Sequence, residues 1–82
     1  MMKVLLSQRT LQSLRNAPKE IQKKFAKQLN HLLKNIRHPS LRAKKYDETK
    51  GIWQARIDEK WRFYFRIEKN VYQLIDVMPH PK

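Results

Sequence analysis

The chain of 82 residues carries nineteen Lys and Arg against seven Asp and Glu, which gives a net charge of +12 at pH 7. This excess attracts polyanions, so nucleic acid is the preferred partner, ahead of an acidic protein and an anionic membrane surface. The lack of cysteine excludes a disulfide framework, a thiolate zinc site and a thiol nucleophile. The apolar run at the N-terminus is too short for a signal peptide or a membrane span, and we expect a soluble cytoplasmic protein with a single domain over residues 1–82.

The first half of the chain has the pattern of a short strand followed by two helices. The run "KVLLS" is a candidate strand, and Ser7 at its end is a plausible N-cap for a short helix. Pro18 suits the first turn of a second helix, which we expect to reach about Arg37, because Pro39 pushes the residue before it out of helical space. Apolar residues at steps of three and four trace one stripe along this helix: Ile21, Phe25, Leu29, Leu32, Leu33 and Ile36.

The second half of the chain changes to the alternating pattern of strands. The segments "IWQARI", "WRFYFRI" and "VYQLIDVMP" read as strands, whereas "LRAKKYDE" is either a strand or a loop. The connections "DEK" and "EKN" are short enough for hairpins. The predicted fold is therefore α+β, with a small antiparallel sheet of three to five strands and two N-terminal helices packed on one face.

The register of the central hairpin follows from its side chains. If Ile57 pairs with Trp61, the other face of the sheet receives Gln54 opposite Tyr64 and Arg56 opposite Arg62, with Arg66 further along. A shift by one residue would mix arginine with phenylalanine on one face. The preferred register instead places these residues together against the helices: Trp53, Ala55, Ile57, Trp61, Phe63, Phe65 and Ile67.

The pairing of Arg56 with Arg62 points to an anion on the outer face of the sheet. Like charges that lie directly opposite each other on a strand pair cost roughly 0.2–1 kcal/mol, and the fork of an arginine side chain matches phosphate geometry. If the "EKN" hairpin pairs Ile67 with Val71, Arg62 also faces Asp76, which would hold its guanidinium in place. We therefore expect a site for phosphate on this face.

Further residues of the outer face are candidates for RNA cleavage. Cleavage without a metal requires stabilisation of the charged phosphorane, removal of a proton from the 2′-hydroxyl and delivery of a proton to the leaving 5′-oxygen. Strand parity puts His80 on this face, where it would act as acid or base, and Tyr64 would orient the phosphate or stack on a base. Glu48 is the nearest candidate for a general base. Simple phosphate binding and a merely solvated basic face remain open as alternatives, and the residues expected to contact RNA are Lys44, Lys45, Tyr64 and Arg66.

The tract "KGIWQARIDEKWRFYFRI", followed by a further strand and the terminal "PHPK", resembles the RelE/ParE toxin superfamily of bacterial type II toxin–antitoxin modules. Within the superfamily, the pattern W-x-x-R-I-x-x-x-W-R-x-x-F is most similar to HigB-type mRNA interferases. The resemblance covers residues 41–82. It implies a toxin that cleaves mRNA in the ribosomal A site without a metal or other cofactor, and a cognate antitoxin that binds the toxin in a hetero-oligomer.

The resemblance also implies roles for individual residues. Arg56 and Arg62 match the sheet arginines that contact the scissile phosphate in the family, and His80 falls where several members place a catalytic histidine. Lys44 and Lys45 lie in the basic stretch that other members use against RNA. Two features of the family are missing from this chain, the C-terminal tyrosine of some members and the glutamate base of others. ParE-type relatives share the fold but inhibit DNA gyrase and cleave no RNA, so a gyrase inhibitor and a non-catalytic RNA-binding module are the alternatives.

Overall fold

A computed structural model of the chain describes residues 1–80, and residues 81 and 82 of the predicted domain lie outside the described residues. The strands form one five-stranded sheet in the order β1-β5-β4-β3-β2. The α+β fold is confirmed, but the sheet is mixed because β1 pairs with β5 in parallel, whereas the other neighbours are antiparallel. The elements in chain order are β1 (Lys3–Leu6), α1 (Gln8–Arg15), α2 (Lys19–Lys34), β2 (Lys44–Asp47), β3 (Ile52–Arg56), β4 (Trp61–Glu68) and β5 (Val71–Pro79).

Both predicted helices are present, with starts close to the expected residues. Ser7 caps α1, since its Oγ accepts a hydrogen bond from the backbone N–H of Thr10 at 3.0 Å. Helix α2 begins directly after Pro18 and ends earlier than expected, because Asn35 adopts an extended conformation with φ −167° and ψ 111°. No helix among residues 1–80 has the length and the apolar character that crossing a membrane requires.

The stripe of α2 packs over the apolar face of the sheet. Ile21, Phe25 and Leu32 are buried, and the ring of Phe25 lies edge-on to that of Phe63 with the centroids 5.4 Å apart. Leu33, at the margin of the stripe, is 40% exposed. The aromatic face of the hairpin is therefore used for the core, and the opposite face of these strands carries the polar and basic side chains.

The predicted register between β3 and β4 is confirmed. Arg56 pairs with Arg62 and Gln54 pairs with Tyr64. The apolar residues of the two strands accordingly share the face that packs against α2. Ala55, Ile57, Phe63 and Phe65 are buried, Trp53 and Trp61 pack partly buried at the border of the core, and Ile67 is 38% exposed at the far end of β4.

The predicted pairing of Arg62 with Asp76 is wrong. Asp76 lies opposite Tyr64, and Arg62 lies opposite Met78. One position of this difference arises in the hairpin, where Ile67 pairs with Tyr72 and not with Val71, and the other arises where the register of β4 and β5 shifts between Tyr64 and Phe65. The apolar pattern of β5 explains the shift. Tyr72, Leu74 and Val77 are all buried, and their spacing of two and then three residues requires a β-bulge that moves the later residues by one position. The bulge leaves Asp76 on the predicted face, but not beside Arg62.

Candidate nucleic-acid interface

A cleft of about 330 Å³ lies on the face of the sheet opposite α2. Strand pairing brings its walls together, because Lys44 of β2 is the partner of Gln54 and Arg56 of β3 is the partner of Arg62. Three cationic residues predicted for the site thus meet in one place, and His80 joins them. The residues that line this cationic cleft are Arg42, Lys44, Gln54, Ala55, Arg56, Arg62 and His80.

The charges of the cationic cleft are uncompensated within the described part of the chain. Among residues 1–80, the ion pair found is that between Lys24 and Asp58, with the Nζ and Oδ2 atoms 3.5 Å apart. The lining residues include no carboxylate, and no group of three or more metal-ligating side chains occurs in residues 1–80. Four cations around one small cleft are costly unless an anion occupies it, and the arrangement is therefore suited to a phosphodiester.

Arg62 is held rigidly at the base of the cationic cleft. The residue is 7% exposed, and its Nη1 donates hydrogen bonds to the backbone carbonyls of Asp58 at 2.6 Å and of Glu59 and Trp61 at 3.1 Å. Burial, and next the positive charge of Arg56, lowers the pKa of Arg62 from its ordinary value, although an arginine remains charged at neutral pH. The guanidinium is thus fixed in orientation before any anion arrives, which is the preorganisation that charge stabilisation needs.

The loop between β3 and β4 positions both Arg62 and His80. Asp58 orders this loop, since its Oδ1 accepts hydrogen bonds from the backbone N–H groups of Lys60 at 2.8 Å and of Trp61 at 2.9 Å. The loop then offers its carbonyl oxygens outward, to Nη1 of Arg62 and, at Lys60, to the backbone N–H of His80. A single loop therefore sets the relative positions of Arg62, a candidate phosphate-binding side chain, and of His80, a candidate proton carrier.

Arg42 is a lining residue that the sequence analysis did not identify. The preceding residue, Leu41, is fully buried, and its carbonyl accepts a hydrogen bond from the N–H of Arg56 at 2.8 Å. Arg42 itself has φ 45°, a left-handed conformation that costs a residue with a side chain roughly 1–3 kcal/mol. The anchored backbone places Arg42 at the cationic cleft. Its presence in a basic stretch was the one signal available in the sequence.

The remaining predicted RNA contacts lie outside the cationic cleft. Lys45 points to the helix side of the sheet, with its Nζ 5.2 Å from the ring centroid of Trp53. Arg66 donates from Nε to the carbonyl of Lys50 at 3.1 Å. Glu48 is exposed in the turn after β2 and does not line the cleft.

Tyr64 is buried beneath another aromatic residue. It is 8% exposed, its hydroxyl accepts a hydrogen bond from Nε2 of Gln54 at 3.0 Å, and the ring of Tyr46 lies 4.9 Å away, centroid to centroid. The exposed aromatic side chain of this face is thus Tyr46, which the sequence analysis missed because its strand was ambiguous.

Substitution of Arg42 by glycine tests whether its charge or its backbone matters. We expect Arg42→Gly to weaken binding of a short RNA about tenfold, because one charged hydrogen bond contributes roughly 1.5–3 kcal/mol. Thermal stability should not fall, since glycine adopts a positive φ without strain. Fluorescence anisotropy and thermal unfolding measure the two effects. Arg42→Lys is the matched control and should retain most of the affinity; equal binding by wild type and Arg42→Gly would remove Arg42 from the interface.

Comparison with known proteins supports a toxin family. A family model described as the ParE toxin of the type II toxin–antitoxin system parDE matches residues 4–81. No curated protein matches the chain in sequence. The finer resemblance to HigB-type interferases stays a prediction.

Solved structures share the fold along almost the whole chain. The YoeB/ParE toxin from Agrobacterium tumefaciens is 14% identical, with a TM-score of 0.78 over 98% of this chain and 100% of that chain. RelE in the archaeal RelE–RelB complex from Pyrococcus horikoshii is 16% identical, with a TM-score of 0.78 over 95% and 93% of the two chains. YoeB from Staphylococcus aureus, solved as a dimer, is 15% identical, with a TM-score of 0.80 over 98% of each chain. Since the family model spans nearly all of the sequence and the fold agrees, the chain belongs to the ParE toxin family of type II toxin–antitoxin systems, within the RelE/ParE superfamily.

Proposed function

We propose that the protein is the toxin of a type II toxin–antitoxin pair and that it is an endoribonuclease, which cleaves mRNA on the ribosome in the cytoplasm without a metal. The observation that carries the proposal is the meeting of four cations without carboxylate partners and one histidine in a single cleft. Inhibition of translation would follow from the loss of intact mRNA.

The proposed reaction is an intramolecular transesterification at one phosphodiester of the RNA. The 2′-oxygen attacks phosphorus, its proton is removed, the bond to the 5′-oxygen breaks, and that oxygen receives a proton. Arg56 and Arg62 stabilise the extra negative charge of the phosphorane. Lys44 and Arg42 hold the neighbouring backbone of the RNA.

His80 carries one of the two protons in this scheme. It is the one histidine among the lining residues of the cationic cleft, and histidine is the side chain that most often serves as a general acid or base. The second proton transfer has no obvious group among the lining residues, and we assign it to water or to a group supplied by the ribosome. Dependence on the ribosome is the expected consequence.

We further propose a cognate antitoxin as the partner that silences the toxin. The structures of RelE with RelB from Pyrococcus horikoshii and of YoeB with YefM from Staphylococcus aureus are complexes of this kind. The net charge of +12 favours an acidic segment of the antitoxin, because opposite charge speeds association and sets specificity. A hetero-oligomer of toxin and antitoxin is the expected resting form.

Toeprinting on translating ribosomes tests the proposed function. A defined mRNA is incubated with ribosomes and the purified toxin, and primer extension maps new 3′ ends. We expect discrete cuts at the A-site codon that appear only in the presence of both the ribosome and the toxin. The absence of cuts on any mRNA tested would contradict the nuclease.

A gyrase inhibitor is the second candidate, and the match to the ParE model supports it. This candidate predicts signalling of DNA damage and intact mRNA in cells that express the toxin. A third candidate, a non-catalytic RNA-binding module, predicts affinity for RNA that falls steeply with salt, but no cleavage and no toxicity.

A further inference from the structure

A second recess lies beside the cationic cleft on the same face of the sheet. Its volume is about 180 Å³, which is the scale of one planar ring system rather than of a whole nucleotide. The walls combine aromatic and apolar side chains with one acidic and one basic side chain. The residues of this base recess on which its chemistry depends are Tyr46, Ile52, Tyr64, Met78, Asp76 and Arg9.

The base recess and the cationic cleft are neighbours, because residues of their walls pair with each other across the strands. Met78 of the base recess is the strand partner of Arg62, which lines the cleft. Gln54 of the cleft donates a hydrogen bond to the hydroxyl of Tyr64, which forms part of the recess. A phosphate held by the arginines therefore brings the base of a neighbouring nucleotide to the edge of the recess.

Tyr46 offers an aromatic surface at this edge. It is 61% exposed, and it lies where the pairing of β2 with β3 shifts between Lys45 and Asp47. A bulge of this kind redirects a side chain, and here the ring of Tyr46 rests edge-on against Tyr64, with the ring planes at 67°. An exposed ring with its edge supported is a platform on which a nucleobase stacks.

Asp76 supplies a hydrogen-bond acceptor inside the base recess. Its Oδ1 accepts from the hydroxyl of Ser13 at 2.6 Å and from the N–H of Val77 at 2.7 Å. Within residues 1–80, no hydrogen bond to its Oδ2 is formed. A carboxylate oxygen that is fixed in this way accepts hydrogen bonds only, so it selects for a donor on the ligand.

We propose that the base recess binds the nucleobase next to the phosphate held in the cationic cleft. The base stacks on Tyr46, and its exocyclic amino group donates to Oδ2 of Asp76. Adenine, guanine and cytosine carry such a group, whereas uracil offers only its ring N3–H as a donor, so the site favours the three bases that have an amino group. The inference rests on the proposed function, because it requires that RNA occupies the cationic cleft.

Binding of short RNAs separates the base recess from the cationic cleft. Two labelled hexanucleotides are compared at low salt by fluorescence anisotropy, one of adenylates and one with the same sugar–phosphate chain but without bases. We expect Tyr46→Ala to weaken binding of the adenylate strand about tenfold, since stacking on one aromatic ring contributes roughly 1–3 kcal/mol. Binding of the abasic strand should stay unchanged, and Tyr46→Phe, which keeps the ring, should behave as wild type with both strands.

The outcomes distinguish failure of the recess from failure of the function. Equal loss of affinity for both strands, or no loss for either, overturns the base recess and leaves the cationic cleft in place. No binding of either strand by the wild type at low salt overturns the base recess, whereas the proposed function is decided by the A-site cuts in toeprinting.

Substitution of Asp76 by asparagine tests the role of its carboxylate. Asp76→Asn retains an oxygen for Ser13 and Val77 and places an NH₂ donor where Oδ2 lies. We expect the variant to lose the preference for an adenylate over a uridylate strand, or to reverse it, with unchanged affinity for the abasic strand. If wild type and Asp76→Asn show the same preference for the adenylate over the uridylate strand, Asp76 does not select the base.

Discussion

Arg62→Ala is expected to lower the rate of mRNA cleavage by roughly a hundred- to a thousandfold, the loss that follows removal of one preorganised donor from a charge-stabilising site. The reason is the geometry of this side chain. It is 7% exposed and held by three backbone carbonyls, so the orientation of its charge is fixed before the phosphorane forms. The number of A-site cuts per unit time in toeprinting measures the effect.

The substitution also disturbs the loop between β3 and β4, and two controls separate the effects. Arg62→Lys keeps a positive charge but loses the planar fork that contacts carbonyls and phosphate together, so we expect only partial recovery. Arg15→Ala removes one exposed positive charge from the end of α1 and should cleave at the wild-type rate. If Arg62→Ala unfolds at the same temperature as wild type and still cleaves at full rate, the site assignment is wrong.

His80→Ala is expected to lower the cleavage rate by roughly a hundred- to ten-thousandfold, the range that a positioned proton carrier contributes. The fold should be unaffected, because the contact of His80 with Lys60 is made by its backbone N–H, which alanine retains. Affinity for RNA should change little, since the arginines and Lys44 remain. The His80→Ala variant should therefore bind RNA nearly normally but cleave it slowly in a single-turnover experiment.

A comparison of histidine variants in that single turnover identifies the role of His80. His31→Ala is the matched control, because it removes an imidazole from α2, outside the cationic cleft. Cuts that persist at the wild-type rate in His80→Ala would keep the nuclease and exclude His80 from its chemistry.

We expect an anionic partner to stabilise the protein through the cationic cleft. Arg56 and Arg62 lie directly opposite each other on adjacent strands, an arrangement that destabilises the free protein. Any anion that binds the folded state and not the unfolded chain stabilises it in proportion to the logarithm of its concentration. RNA and an acidic antitoxin segment are both candidates for that compensation.

The sequence by itself determined the helices and the central hairpin. Apolar steps of three and four residues define α2, and Ser7 supplies the cap of α1. The strict alternation of aromatic and basic residues in β3 and β4 permits only one register that keeps arginine out of the core. For that reason Arg56 and Arg62 were correctly placed on one face, and the positive charge of that face was predictable without coordinates.

Tertiary structure decided what depends on contacts between distant segments. The bulge in β5 arises because three apolar residues must reach the same core. Together with the pairing of Ile67 with Tyr72, it places Asp76 opposite Tyr64 and not opposite Arg62. The left-handed backbone at Arg42 and the bulge at Tyr46 depend on buried Leu41 and on the pairing of β2 with β3. The local sequence pattern does not determine these pairings, because the packing of the whole core selects the strand partners and the irregular backbone. The sequence therefore determined which face carries the charge, and only the folded chain decided which side chains meet there.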